Sequence, residues 1–295
     1  MRRLQIFTLF ILFHFHVQGQ ESQSPIHIGI IADIQYADRD DRGTRYYKAS
    51  LQKLDTAVTF LNRHRVACTV VFGDLVDQGI KDLPPITRRL GQLQAPVYNI
   101  LGNHDYEDAR DKNILYTHYN MIAPYYTFDK GNWRLIILNT NELSEYATNP
   151  GTSLYEEWKT INDQLKEEGR KNARPWNGGI GKKQISWMEE QLKKATLEAK
   201  NVLVLTHHPL FPENGLEALN NREILKLIIQ YSCVRAVISG HHHEGNYAYY
   251  KKIPIVTLEG MVETAGHNAF GVMSLHEDKI EISGQGRLTS RVLNF

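Results

Sequence analysis

The chain has 295 residues, 42% of them hydrophobic and 23% charged, with 34 Lys and Arg against 33 Asp and Glu. That length can bury a large core, and the composition is ordinary for a soluble globular protein. A net charge of +1 and the absence of any long Lys/Arg run give no support for a nucleic-acid binder.

Taken in chain order, Arg2 and Arg3 precede an apolar stretch over 4–17, and Gly19 closes a polar exit at 18–20. This is the layout of a secretory signal peptide cut after Gly19, leaving one domain over 20–295 in a secreted or periplasmic protein. An uncleaved anchor and a plain N-terminal helix are the alternatives. The stretch is shorter than the ~20 residues a membrane span needs, and no later segment reaches that length, so no stable span is expected. Residues 26–31 read as a buried strand, 46–65 as a helix, 67–72 as a strand, 84–93 as a short helix and 97–101 as a strand. The order β-α-β-α-β predicts parallel strands with crossover helices. Residues 125–128 and 133–139 flank Asp129-Lys130-Gly131-Asn132 as a hairpin. Residues 141–181 are polar and rich in turn formers, with a short helix expected near 156–167. A helix over 182–200, a strand over 202–205, a helix over 222–231 and a strand over 234–238 follow. The C-terminal third reads as antiparallel strands over 247–250, 255–258, 270–275 and 279–283. Cys68 and Cys233, the two cysteines, sit in or beside apolar runs and read as buried free thiols, with a bridge between them left open. No repeat or linker interrupts the chain, which reads as one domain of two packed sheets with helices outside.

Five segments at the ends of these strands carry the chemistry: Asp33-Ile34-Gln35, Gly73-Asp74, Gly102-Asn103-His104-Asp105, His207-His208-Pro209 and Gly240-His241-His242-His243. Ligands collect beyond the carboxyl ends of parallel strands. Alternate residues of an extended segment share a face, so Asp33 pairs with Gln35 and His241 with His243, while His242 points elsewhere. Carboxylates, amide oxygens and imidazoles are the donors that divalent transition metals take. Asp74 follows a glycine and has two oxygens, so it can bridge two ions. Two divalent cations, two carboxylates and a hydroxide leave the site about one charge positive, which suits an anionic phosphate. His14, His16, His27, His64, His118, His267 and His276 read as surface or hydrogen-bonded core residues.

In order and context these segments resemble the calcineurin-like metallophosphoesterases, from residue 26 to the C-terminus. The resemblance implies an α/β fold, a four-layer α-β-β-α sandwich of two mixed sheets. It implies Asp33, Gln35, His243 and the bridging Asp74 at a first metal, and Asn103, His207 and His241 completing a second. His104 would assist the leaving group as a catalytic acid. Gln35 stands where most of the superfamily has histidine; a hard, neutral oxygen donor favours manganese, with magnesium, iron or zinc also able to serve. Residues 31–38, 43–47, Asn177-Gly178-Gly179, 258–265 and 284–287 are similar to the manganese-dependent ADP-ribose/CDP-alcohol diphosphatases. That likeness implies hydrolysis of nucleotide conjugates such as ADP-ribose or CDP-choline, by attack of a hydroxide held between the ions on one phosphorus. It also suggests Tyr36 as a ring for the nucleobase, with packing against the cleft wall as the alternative, and Arg45 as a phosphate contact, with a surface ion pair as the alternative. Glu259 and Glu263 are expected to support the site. Rival readings are a phosphodiesterase or phosphomonoesterase of the same superfamily with another substrate, and a non-catalytic metal-binding protein.

Overall fold

The computed structural model describes residues 24–109, 111–112 and 114–295. The segment 1–19, expected to be a signal peptide, lies outside the described residues. The strands are β1 (Ile26–Ile31), β2 (Cys68–Phe72), β3 (Val97–Ile100), β4 (Tyr126–Lys130), β5 (Trp133–Ile137), β6 (Asn201–Leu205), β7 (Val234–Ser239), β8 (Asn246–Tyr250), β9 (Ile253–Thr257), β10 (Ala269–Leu275), β11 (Lys279–Gly286) and β12 (Arg291–Asn294). The helices are α1 (Ala49–Arg63), α2 (Pro84–Leu90), α3 (Leu115–His118), α4 (Ser153–Glu167), α5 (Lys182–Leu197) and α6 (Asn221–Ile228).

The strands form two six-stranded mixed sheets, ordered β12-β11-β10-β1-β2-β3 and β4-β5-β6-β7-β9-β8. The apolar runs expected to be buried strands are buried on both faces, and their alternation assigns each face to a different layer. Val70 and Phe72 of β2, with Leu135, Ile137, Leu203 and Leu205 of the second sheet, fill the space between the sheets. The intervening Val71 packs outward with Leu54, Val58 and Leu61 of α1 and Ile86 and Leu90 of α2. Ile136, Val202 and Val204 pack on the other outer face against Met188 and Leu192 of α5 and Ile224 and Ile228 of α6. The result is the four-layer α-β-β-α sandwich.

Three expectations are corrected in detail. β9 is not part of an all-antiparallel set: it pairs antiparallel with β8 but parallel with β7, which extends the parallel core of the second sheet. β12 closes the edge of the first sheet beside β11 and was not foreseen. The polar 141–181 segment is ordered by its own hydrogen bonds and holds a 15-residue helix, α4, whose Thr152 caps the first turn through Tyr155 N at 3.3 Å. Cys68 and Cys233 are buried free thiols in different layers of the core. No helix among the described residues is long and apolar enough to cross a membrane.

Candidate metal centre

The carboxyl ends of β1, β2, β3, β6 and β7 meet at one edge of the sandwich. Asp33, Gln35, Asp74 and His241 all adopt left-handed backbone conformations, with φ of 51°, 45°, 48° and 69°. Non-glycine residues seldom do so, and such strain clusters where surrounding structure holds side chains in a functional arrangement. Close packing leaves no room for a side chain at Gly102, where a Cβ would lie 2.1 Å from Asp74 Oδ1. Asp105 accepts hydrogen bonds from Leu75 N (2.9 Å), Val76 N (3.2 Å) and Gly102 N (2.9 Å), tying the turn that carries Asp74 to the turn that carries Asn103.

Two groups of donors result. In one, oxygens of Asp33 and Asp74 and a nitrogen of His243 lie within 4.8 Å of one another, with His243 Nε2 3.7 Å from Asp33 Oδ1. In the other, His207 Nε2 lies 3.2 Å from His241 Nδ1 and 3.4 Å from Asn103 Oδ1. Asp74 joins the groups, its Oδ2 3.5 Å from His207 Nε2. Six of the seven expected metal ligands, all but Gln35, are brought together by these distances.

The outer hydrogen bonds choose which nitrogen faces inward. His207 Nδ1–H donates to Phe72 O at 2.8 Å, leaving Nε2 free. His243 Nδ1–H donates to Glu263 at 2.8 Å, again leaving Nε2 free. His241 is turned the other way: its Nε2–H donates to Asn177 Oδ1 at 3.1 Å and leaves Nδ1 facing His207. His208, although close by, has both nitrogens occupied: Nε2–H donates to Trp176 O at 3.1 Å and Nδ1 faces the Thr140 hydroxyl at 2.9 Å. It buttresses His241 rather than offering a donor. Gln35 gives its Nε2–H to Asp77 Oδ1 at 3.0 Å, and its buried Oε1 has no hydrogen-bond partner among the described residues. A buried carbonyl oxygen in that state is costly unless something cationic meets it.

The electrostatics point the same way. Burial and the neighbouring Asp74 carboxylate push Asp33 well above the usual carboxylate range. Burial pushes His207, His241 and His243 down, towards the neutral imidazole that binds metal. Crowded carboxylates facing neutral imidazoles and an unpartnered amide oxygen are a donor set short of cations, and two divalent ions fit it.

The remaining expected residues separate. His104 lines the cleft above the donors, its backbone N–H on Asp74 Oδ1 at 2.9 Å and its Nδ1 3.1 Å from Asp77 O and 3.4 Å from Asp77 Oδ1. Arg45 lines the same cleft, with Nη1 3.9 Å from Asp77 Oδ1. Tyr36 does not line it. Tyr36 packs into the core with Ile34, Leu75 and Val76, and only 8% of it is exposed, so no ring face is free for a base. His242 stays out of both donor groups but lies on the cleft wall, with Nδ1 3.5 Å from Asn214 Nδ2. Glu263 orients His243, whereas Glu259 accepts from the Thr289 hydroxyl at 2.6 Å, away from the donors. Asp77, Asn177 and Trp176 went unnoticed as individual side chains. The Asp three residues after Asp74 and the Asn-Gly-Gly motif were the available signals.

Residues 26–245 match the family model described as calcineurin-like phosphoesterase. The chain belongs to that family. As a calcineurin-like phosphoesterase it is a metal-dependent hydrolase with a two-metal centre. Among similar curated proteins is the manganese-dependent ADP-ribose/CDP-alcohol diphosphatase of Homo sapiens, 27% identical, with 94% of this chain and 95% of the relative covered. The protein of that name from Oryza sativa subsp. japonica is also 27% identical, with 93% and 96% covered. The phosphoesterase shares its fold with a dimetal phosphatase from Danio rerio at a TM-score of 0.84 and 24% identity, covering 92% of this chain and 100% of that one.

Proposed function

We propose that this phosphoesterase is a manganese-dependent diphosphatase that hydrolyses nucleoside diphosphate-linked compounds, ADP-ribose and CDP-alcohols such as CDP-choline, to a nucleoside monophosphate and a phosphorylated sugar or alcohol. The observation that carries this reading is the cleft. It has a volume of about 1040 Å³ and runs over Asp74, Asn103 and His104, with Trp176 and Leu216 on its wall and the arginines at 42 and 45 on its rim. That is at the upper end for small-molecule sites, and it suits a ligand larger than a phosphate monoester. Trp176, 45% exposed, offers the aromatic face that Tyr36 does not. The names of the curated relatives support the same substrates and the same metal.

In this reading Asp33, Gln35 and His243 would hold one ion and Asn103, His207 and His241 the other, with Asp74 serving both. The ions, when bound, polarise a phosphoryl oxygen and lower the pKa of water. Gln35 contributes a hard neutral oxygen, which favours manganese. Asp77 takes the Nδ1–H of His104 and so leaves Nε2 for the cleft. From there His104 donates a proton or a hydrogen bond to the leaving-group oxygen, an effect typically worth about 10²–10⁴ in rate. We also read 1–19 as a cleaved export signal, on the strength of its paired arginines, short apolar run and small residue; an N-terminus at Met1 in the mature protein would undo that.

The test is turnover of ADP-ribose, CDP-choline and para-nitrophenyl phosphate by metal-free protein given manganese, magnesium or zinc. Manganese-dependent release of AMP and CMP with little monoester activity is expected. Activity on the nitrophenyl ester alone would sink the diphosphatase reading.

A further inference from the structure

The rim of the cleft carries a tight hairpin whose two arginines are differently engaged. Arg42 N–H donates to Arg45 O at 3.1 Å and Arg45 N–H to Arg42 O at 3.0 Å, closing a two-residue turn in which Gly43 has φ 60°. The hairpin is anchored. Tyr46 N–H donates to Val262 O at 2.9 Å, and Thr264 N–H to Thr44 O at 3.0 Å. Beneath that strap the buried Lys53 ammonium donates to Met261 O, to Glu263 O at 3.2 Å and to Thr264 O at 3.0 Å. The segment that presents the arginines is thus tied to the segment that carries Glu263, the partner of His243.

Three arginines line the cleft among the described residues. Arg287 is committed to backbone, donating to Gly260 O at 3.0 Å and His243 O at 3.2 Å. Arg45 lies beside Asp77. The Arg42 guanidinium meets no carboxylate among the described residues, although Glu107, Glu244 and Glu263 line the same cleft. A diphosphate carries charge on both phosphates, and a metal centre that takes one leaves the other on a wall where those carboxylates would repel it. A guanidinium fork matches phosphate oxygens bidentately.

We propose that Arg42 is a specificity-determining residue that binds the second phosphate of the substrate, the one not held at the metal centre. The proposal rests on the diphosphatase reading. It assigns the discrimination between diphosphates and single-phosphate compounds to the hairpin rather than to the metal ligands. Arg42 is exposed, and the substitution leaves its backbone hydrogen bonds in place.

The experiment compares wild type, Arg42→Gln and Arg42→Lys. Calorimetric binding of the non-hydrolysable αβ-methylene ADP-ribose and of AMP is measured alongside steady-state kinetics on ADP-ribose. In R42Q the affinity for the methylene analogue should fall about tenfold and KM for ADP-ribose rise to match, with kcat and AMP affinity changed less than about twofold. R42K, which keeps the charge without the fork, should fall between. Equal losses for the analogue and AMP, or no loss for either, would overturn the subsite while leaving the diphosphatase intact. A wild type that turns over neither ADP-ribose nor CDP-choline would overturn the function, and the subsite with it.

Discussion

Gln35 donates its side-chain N–H to Asp77 Oδ1 at 3.0 Å, and this bond sets which end of the amide is left free. An amide is symmetric in shape but not in chemistry. With its nitrogen held by a carboxylate, Gln35 keeps Oε1 as the free end of the amide, buried and unpartnered among the described residues. The backbone carbonyl of the same Asp77 accepts the Nδ1–H of His104 at 3.1 Å. One residue therefore orients both groups, the proposed metal ligand through its carboxylate and the proposed acid through its backbone carbonyl.

Asp77→Asn removes the charge that holds the Gln35 amide and lies 3.4 Å from His104 Nδ1, and it lets the Gln35 amide turn over, while the backbone carbonyl that accepts from His104 stays. A loss of about 10- to 100-fold in kcat/KM is expected, with weaker manganese binding, as for other partners that orient ligands. Metal titration by calorimetry and kinetics on ADP-ribose measure the two effects separately. Wild-type values of both in the variant would remove Asp77 from the site.

Asn177 acts on the other side of the centre, fixing the His241 ring by accepting its Nε2–H at 3.1 Å. Asn177→Ala frees that ring to turn. About tenfold weaker binding of a second manganese ion is expected, with the first ion affected less. Stoichiometric manganese titration followed by electron paramagnetic resonance resolves the two. The Asn177 amide also donates to Asn172 O and Gly215 O, both at 2.9 Å, so a thermal melt should accompany the titration.

Glu263 is held down to about 2 chiefly by its hydrogen bond to His243, against the burial that would raise it. Burial keeps His243 itself towards the neutral form, so the bond comes largely from a neutral N–H rather than a full ion pair. Because the folded pKa lies below the unfolded one, the unfolded chain binds the proton first as pH falls. The stability from this group is therefore complete above about pH 4.5 and is lost as pH falls through about 2. Glu263 does not titrate between pH 5 and 8. In metal-free Glu263→Gln, the loss of melting temperature between pH 4.5 and 2 should be shallower than in wild type. Parallel curves would show that this carboxylate contributes nothing to acid sensitivity.

Burial raises the Cys68 thiol to about 11. At pH 8 only about one thiol in a thousand would be thiolate, the reactive form. Native protein should resist iodoacetamide at Cys68, as read by peptide mass mapping, and react fully once unfolded. Rapid native labelling would mean that the layer between the sheets opens readily.

Most of the candidate metal donors were legible before folding, because each stands just past an apolar run and beside a glycine or a second donor. Asp33, Asp74, Asn103, His207 and His241 needed only local pattern and the rule that ligands gather at strand ends. Of the supporting partners, Glu263 was expected at the site, but the pairings of Asn177 and Asp77 were not legible. Asn177 and His241 are 64 positions apart, and Asp77 reaches back 42 positions to Gln35. The Asn-Gly-Gly motif and the Asp after Asp74 mark the residues, but nothing local marks their partners.

The sequence by itself determined the two buried sheets, the order of the helices and the donor types, since alternation and composition dictate which faces leave water. Tertiary structure alone decided which imidazole nitrogen faces inward, that β9 lies parallel to β7, and that Tyr36 is core while Trp176 is exposed. Those outcomes depend on hydrogen bonds and packing between distant segments, which come into being only when the sheets close on each other.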